Sequence, residues 1–157
     1  MAKVPYLLVD AFTETPGGGN RVALVLDARG MSGEEMQRVT DRLHQAQAAF
    51  VTDWDSGGFG VRYFTTTGEV EFSGHASVAL ALALVHEERV PKHAKKLYLR
   101  TIAETLSVEL LKENGTIAKA VVRGPAPRFR DPPSYRTLQE FMEALGADER
   151  YLHRGLP

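Results

Sequence analysis

Glu69-Val70-Glu71-Phe72-Ser73-Gly74-His75-Ala76-Ser77-Val78-Ala79-Leu80-Ala81-Leu82-Ala83-Leu84-Val85 is the stretch whose reading decides the fold. Its first five residues alternate, with Val70 and Phe72 on one side and Glu69, Glu71 and Ser73 on the other, which predicts a strand. From about His75 the alternation stops. Val78 to Val85 is an unbroken run of Val, Ala and Leu, closed by Glu87-Glu88-Arg89. Its length and alanine content favour a helix over a strand. A helix that is apolar all round offers no face to water, so the rest of the domain must enclose it.

The flanking segments supply the enclosure. Lys3 to Phe12 reads as a strand, broken by a flexible loop at Pro16 to Gly19, and Val22 to Leu26 as a short buried strand. Ser32 with Glu35 makes a capping box and starts a helix from about Gly33 to His44, with Met36, Val39, Thr40 and Leu43 inward. Ala48 to Trp54 and Gly60 to Thr66 form a hairpin around Asp55-Ser56-Gly57-Gly58, and Thr67-Gly68 turns the chain again. Lys96 to Thr101, Thr105 to Lys112 and Thr116 to Arg123 are three further strands, the last two joined at Asn114-Gly115. The expected fold is α+β: a mixed, mostly antiparallel sheet curled around a central buried helix. Residues 1–124 form this domain. Residues 125–157 are a proline-rich connector, Pro125 to Pro133, and an amphipathic helix, Ser134 to Leu145, that packs on the domain and ends at Gly146.

Bulk properties narrow the function. The 157 residues suit one ordinary domain, with 43% hydrophobic and 25% charged residues. A net charge of −1 gives no reason to expect a nucleic-acid or membrane partner. No apolar run is long enough to span a bilayer and no signal peptide is visible, so the expected location is the cytoplasm. With no cysteine there is no disulfide, thiolate nucleophile or cysteine-type zinc site. His44, His86, His93 and His153 lack metal-ligand spacing, and no metal or organic cofactor is expected. Lys92, Lys95 and Lys96 read as a solvated cluster, Arg128 and Arg130 as connector residues, and Trp54 and Phe59 as packing beside a hairpin turn.

Chemistry concentrates where strand becomes helix. The first N–H groups of a helix lack intrahelical partners and lie at the positive end of its dipole. An anion or an oxygen gaining negative charge is favoured there. Gly74 permits a tight turn and close approach. His75 offers proton transfer, and Ser73 and Ser77 offer hydroxyls. The same pattern also describes a capped helix start with a structural histidine. Gly17-Gly18-Gly19-Asn20 is a second, weaker candidate, readable as a ligand-facing loop or as a plain turn. Glu69 and Glu71 read as a solvated face in preference to a carboxylate beside Ser73.

Val9-Asp10-Ala11-Phe12, Gly19-Asn20, Met36-Gln37, Ala49-Phe50-Val51, Arg62-Tyr63-Phe64-Thr65 and Glu69 to Ser77 occur in the order found in PhzF-like proteins. On these blocks the chain resembles the PhzF-like branch of the diaminopimelate-epimerase superfamily, N-terminal domain only. The resemblance implies two similar domains in the full family protein, with a cleft between them. There a glutamate in an S-E-T block moves a proton during isomerisation of a small amino-acid-like substrate, without a cofactor. It also implies that His75 assists in the cleft, that Gly74, Ser77 and the helix amides hold the substrate carboxylate, and that Gly19, Asn20 and Ser73 line the pocket. Two departures stand out. Gln47, in Ala46-Gln47-Ala48, occupies the glutamate position, and an amide is no general base. Ser73 stands where relatives carry cysteine.

Three functional readings follow. The chain is an isomerase whose site is completed by a second subunit, as a homodimer or with a separate C-terminal-half partner. It is a catalytically degenerate small-anion binder, as Gln47 suggests. Or it is an interaction domain that uses the former cleft face.

Overall fold

The computed structural model describes residues 3–126, 131, 133–148 and 150. Arg128, Arg130, His153, the middle of the proline connector and the segment Gly155-Leu156-Pro157 lie outside the described residues. The chain forms two compact units, 1–125 and 126–157.

Among the described residues, the first unit holds eight strands and two helices. In chain order they are β1 (Leu7–Ala11), β2 (Asn20–Val25), α1 (Gly33–Leu43), β3 (Gln47–Asp55), β4 (Gly58–Thr65), β5 (Gly68–Val70), α2 (Gly74–His86), β6 (Lys96–Arg100), β7 (Thr105–Glu113) and β8 (Thr116–Val122). All eight strands share one sheet, ordered β1-β2-β3-β4-β6-β7-β8, with β5 also paired to β4. Five pairings are antiparallel (β1–β2, β3–β4, β4–β5, β6–β7 and β7–β8). Two are parallel, β2–β3 and β4–β6. Each parallel pair needs a crossover, and α1 and α2 supply one apiece. The fold is thus the α+β arrangement that the sequence predicts. The two ends of the strand order, β1 and β8, both touch α2, so the sheet wraps around that helix.

The pleat of β2 and β3 serves two cores. Val22 and Leu24 on β2, with Ala49 and Val51 on β3, face α2 and join Ala76, Ala79, Leu80 and Leu84. The intervening Ala23, Val25, Ala48 and Phe50 face the other way and pack with Met36 of α1. Period-two alternation assigns successive residues to opposite faces. Here both faces are covered, so these strands read as apolar runs in place of an alternating pattern. α1 starts at the capping box: Ser32 Oγ accepts from Glu35 N–H at 3.2 Å, and Glu35 Oε2 accepts from Ser32 N–H at 2.8 Å. Met36 and Thr40 are its buried residues, with Val39 and Leu43 half-buried beside them.

Two strands are shorter than expected, for pairing reasons. β1 has partners only from Leu7, opposite Leu24, to Ala11, opposite Asn20, and not over Lys3 to Phe12. β5 ends at Val70, opposite Tyr63, because β6 takes up the same edge of β4 at Phe59 and Gly60. Phe72 and Ser73 therefore leave the sheet, and Ser73 does not share an outward face with Glu71. It is buried at 6% exposure.

The second unit contains α3 (Tyr135–Ala144), with Ser134 as its N-cap. Gly146 follows at φ 61°, a left-handed conformation that glycine adopts without strain.

Candidate active site

Gln47 opens β3 with the same parity as Ala49 and Val51, so its side chain lies on the α2 side of the sheet. Tyr63, opposite Ala49 on β4, faces the same way. The register thereby aims an amide and a phenol at the start of α2. Ser73 is the N-cap of that helix, and its Oγ accepts from Ala76 N–H at 3.4 Å. The Ser73 hydroxyl donates to Gln47 Oε1 at 2.7 Å, and its oxygen lies 3.3 Å from His75 Nδ1. Ser77 Oγ donates to the Ser73 carbonyl at 2.7 Å. Because its single proton is used there, Tyr63 must be the donor in the 2.7 Å contact between its hydroxyl and Ser77 Oγ.

Burial sets the charge states. Desolvation pushes the Tyr63 phenol up to about 12, so it stays a neutral donor. Desolvation lowers the pKa of His75, so its imidazole is neutral at neutral pH. Its Nε2 is enclosed and has no hydrogen-bond partner. Such an atom in an otherwise satisfied cluster calls for an explanation. Ser73 takes the N–H of Ala76, while the N–H groups of Gly74 and His75 have no intrahelical acceptor.

The remaining expected site residues separate into two groups. A Cβ at Gly74 would meet only the Phe72 ring, at 3.7 Å, and the residue has no positive φ. The turn therefore does not require glycine there. Gly19 differs: a Cβ there would fall 2.2 Å from the Ala11 carbonyl, so the close approach of two backbones explains it. Asn20 has the parity of Val22, and parallel pairing puts Val22 level with Gln47. Asn20 lies two residues farther out on the same face, roughly 7 Å along the strand. It shares the rim with the cluster, but no hydrogen bond joins it to the cluster among the described residues. Ser77 has 0% exposure, so its hydroxyl braces the helix start and does not reach a ligand. Glu69 lies opposite Phe64 on the far face of the sheet and is held by Arg62 through two bonds of 2.6 and 2.5 Å. Glu71 is exposed.

Tyr63 is the member that sequence reasoning missed. Its parity with Val61, inside a strand sequence of Gly60 to Thr66, was the available signal. The larger surface hollows lie elsewhere. One of about 620 Å³ runs between Lys96, Thr105 and Arg123, and one of about 500 Å³ lies between His86, Lys92 and Thr116. Neither gathers an unpartnered buried polar atom, which among the described residues His75 Nε2 alone provides. Among the described residues no group of His, Asp or Glu could hold a metal ion. No helix among them is long and apolar enough to cross a membrane.

Comparison with known proteins identifies the family of the chain. The family described as "Phenazine biosynthesis-like protein" (PhzC-PhzF) matches residues 9–157. An uncharacterized isomerase of Deinococcus radiodurans is 40% identical, over 97% of this chain and 49% of its own length. A trans-2,3-dihydro-3-hydroxyanthranilate isomerase of Pseudomonas fluorescens is 33% identical, over 92% of this chain and 50% of its own. The solved structure of a predicted epimerase from Pseudomonas aeruginosa superposes with a TM-score of 0.76 at 26% identity, covering 90% of this chain and 50% of that one. The chain thus spans about half the length of the curated relatives it matches.

Proposed function

Since this chain belongs to the phenazine biosynthesis-like (PhzC-PhzF) family, whose members include isomerase-like proteins, we propose that it forms one wall of an isomerase site. The substrate class is a small amino-acid-like carboxylate, and the reaction is proton transfer without a cofactor. The observation that carries this reading is the unpartnered Nε2 of His75 in the first turn of α2, next to Gly74, whose Cα side meets only the Phe72 ring. The tip favours the carboxylate, and the neutral imidazole accepts a proton. A second subunit, either another copy or a separate C-terminal half, closes the wall into a cleft. Phe12 supports that assembly: it sits next to Ala11 at the same rim, is 73% exposed and has a φ of 62°. An exposed large aromatic held in a strained backbone suits a contact face.

The test is solvent-deuterium incorporation into a panel of amino-acid-like carboxylates. The wild type incorporates deuterium into at least one, and His75→Ala lowers the rate by about 100-fold or more, the usual scale of general acid–base catalysis. Gln47→Glu restores a second base and raises the rate. Gln47 also favours a second reading, in which the tip binds a small anion without turnover, since its amide is no general base. Saturable binding with no deuterium incorporation would select that reading. Neither binding nor incorporation across the panel would remove both.

A further inference from the structure

The protons of the cluster can be assigned one by one. Ser73 Oγ has a single proton and two lone pairs. It has three neighbours: Gln47 Oε1, Ala76 N–H and His75 Nδ1. A carbonyl oxygen only accepts and an amide N–H only donates. The serine proton therefore goes to Gln47, and one lone pair takes the Ala76 N–H. The other lone pair faces His75, so the contact is a hydrogen bond only when Nδ1 carries the proton. In a neutral imidazole that leaves Nε2 bare, and Nε2 is the enclosed atom with no partner.

We propose that Gln47 is a positioning residue: its carbonyl fixes the Ser73 proton, and through it holds His75 as the tautomer protonated on Nδ1, with a free lone pair on Nε2. Glutamine at this position keeps the accepting role of a carboxylate and gives up only the proton. The consequence for chemistry rests on the isomerase reading. Once the side chains that enclose Nε2 give way to the substrate, the substrate C–H bond breaks, its proton passes to Nε2, and the electron pair stays on the substrate carbon. The resulting imidazolium keeps its Nδ1–H on Ser73 Oγ, and return of the Nε2 proton to another substrate carbon closes the cycle.

The test is nitrogen NMR of the 157-residue chain labelled at histidine, at a pH well above the imidazole pKa. His75 is assigned by the signals lost in His75→Gln. The expected wild-type pattern is a protonated Nδ1 and a bare Nε2. Gln47→Met removes the acceptor, so the Ser73 hydroxyl turns to Nδ1 and the two nitrogens exchange character. Gln47→Glu, which still accepts, restores the wild-type pattern. A wild-type His75 protonated on Nε2, or divided evenly between tautomers, overturns the proposal, as does a Gln47→Met spectrum with no exchange. If Gln47→Met does not fold, the wild-type pattern decides alone. The expected tautomer without deuterium incorporation sinks the isomerase reading and keeps this one. Incorporation with the opposite tautomer does the reverse.

Discussion

Ser73 and Ser77 look interchangeable in a motif, yet their surroundings give them different work. Ser73 ties a strand to a helix cap and an imidazole, whereas Ser77 braces the first turn from inside. His75 carries a consequence for stability. Its folded pKa lies below the ordinary 6.5, so on acidification the unfolded chain takes up this proton first. Stability is therefore complete above about pH 6.5 and falls as the pH drops toward the folded pKa. Asp10 and Asp27 act in a separate window. Arg21 and Arg29 hold them at about 2, so their contribution is present above 3.8 and is lost as the pH falls through about 2. Melting temperatures measured between about pH 7 and 5 should fall for the wild type and less steeply for His75→Gln; equal slopes would contradict the burial of the imidazole. Gly74→Ala isolates the helix tip. It should leave the melting temperature unchanged or raised, because alanine is the better helix residue and meets only the Phe72 ring. It should also weaken carboxylate binding about tenfold. An unaltered affinity would show that ligands do not approach there.

Helix α2 is the element on which the first unit depends. Seven of its residues, Ala76, Ser77, Ala79, Leu80, Ala81, Ala83 and Leu84, are buried. They cover more than half of the helix circumference, and Val78, Leu82 and Val85 on the remainder are half-buried, so propensity alone cannot hold the helix in water and the surrounding sheet must. Small alanines let β1, β2, β3 and β8 approach it, and the leucines fill the gaps. Leu80→Ala, at 0% exposure, should cost about 2–5 kcal/mol in a denaturant titration, since the close-packed strands cannot collapse into the space. A loss below about 1 kcal/mol would mean that the helix is not enclosed as described. The α1 capping box contrasts with this. It is a local device whose loss affects only one helix end, typically by about 1 kcal/mol.

At the scale of the molecule, the chain covers about half of each curated relative compared above, and on the proposed reading it supplies one wall of the site. If a second copy completes the cleft, the chain sediments as a dimer at working concentration, and deuterium incorporation per chain falls on dilution through the dimer dissociation constant. If a separate C-terminal half completes it, incorporation appears only on mixing the two. Undiminished incorporation by a monomer would show that one wall suffices. The sequence by itself determined the helix that needs enclosing, the capping box at Ser32 and the Asn114-Gly115 turn, because each rests on neighbours a few residues apart. It also carried the family, through blocks in a fixed order. It did not determine where Glu69 to Ser73 leaves the sheet, since that depends on β6 claiming an edge of β4. Nor could it show that Gln47 meets Ser73 across 26 positions, or that Tyr63 belongs with them. Only tertiary structure decided those contacts, because strand register and pleat direction choose which side chains, distant in sequence, share a face.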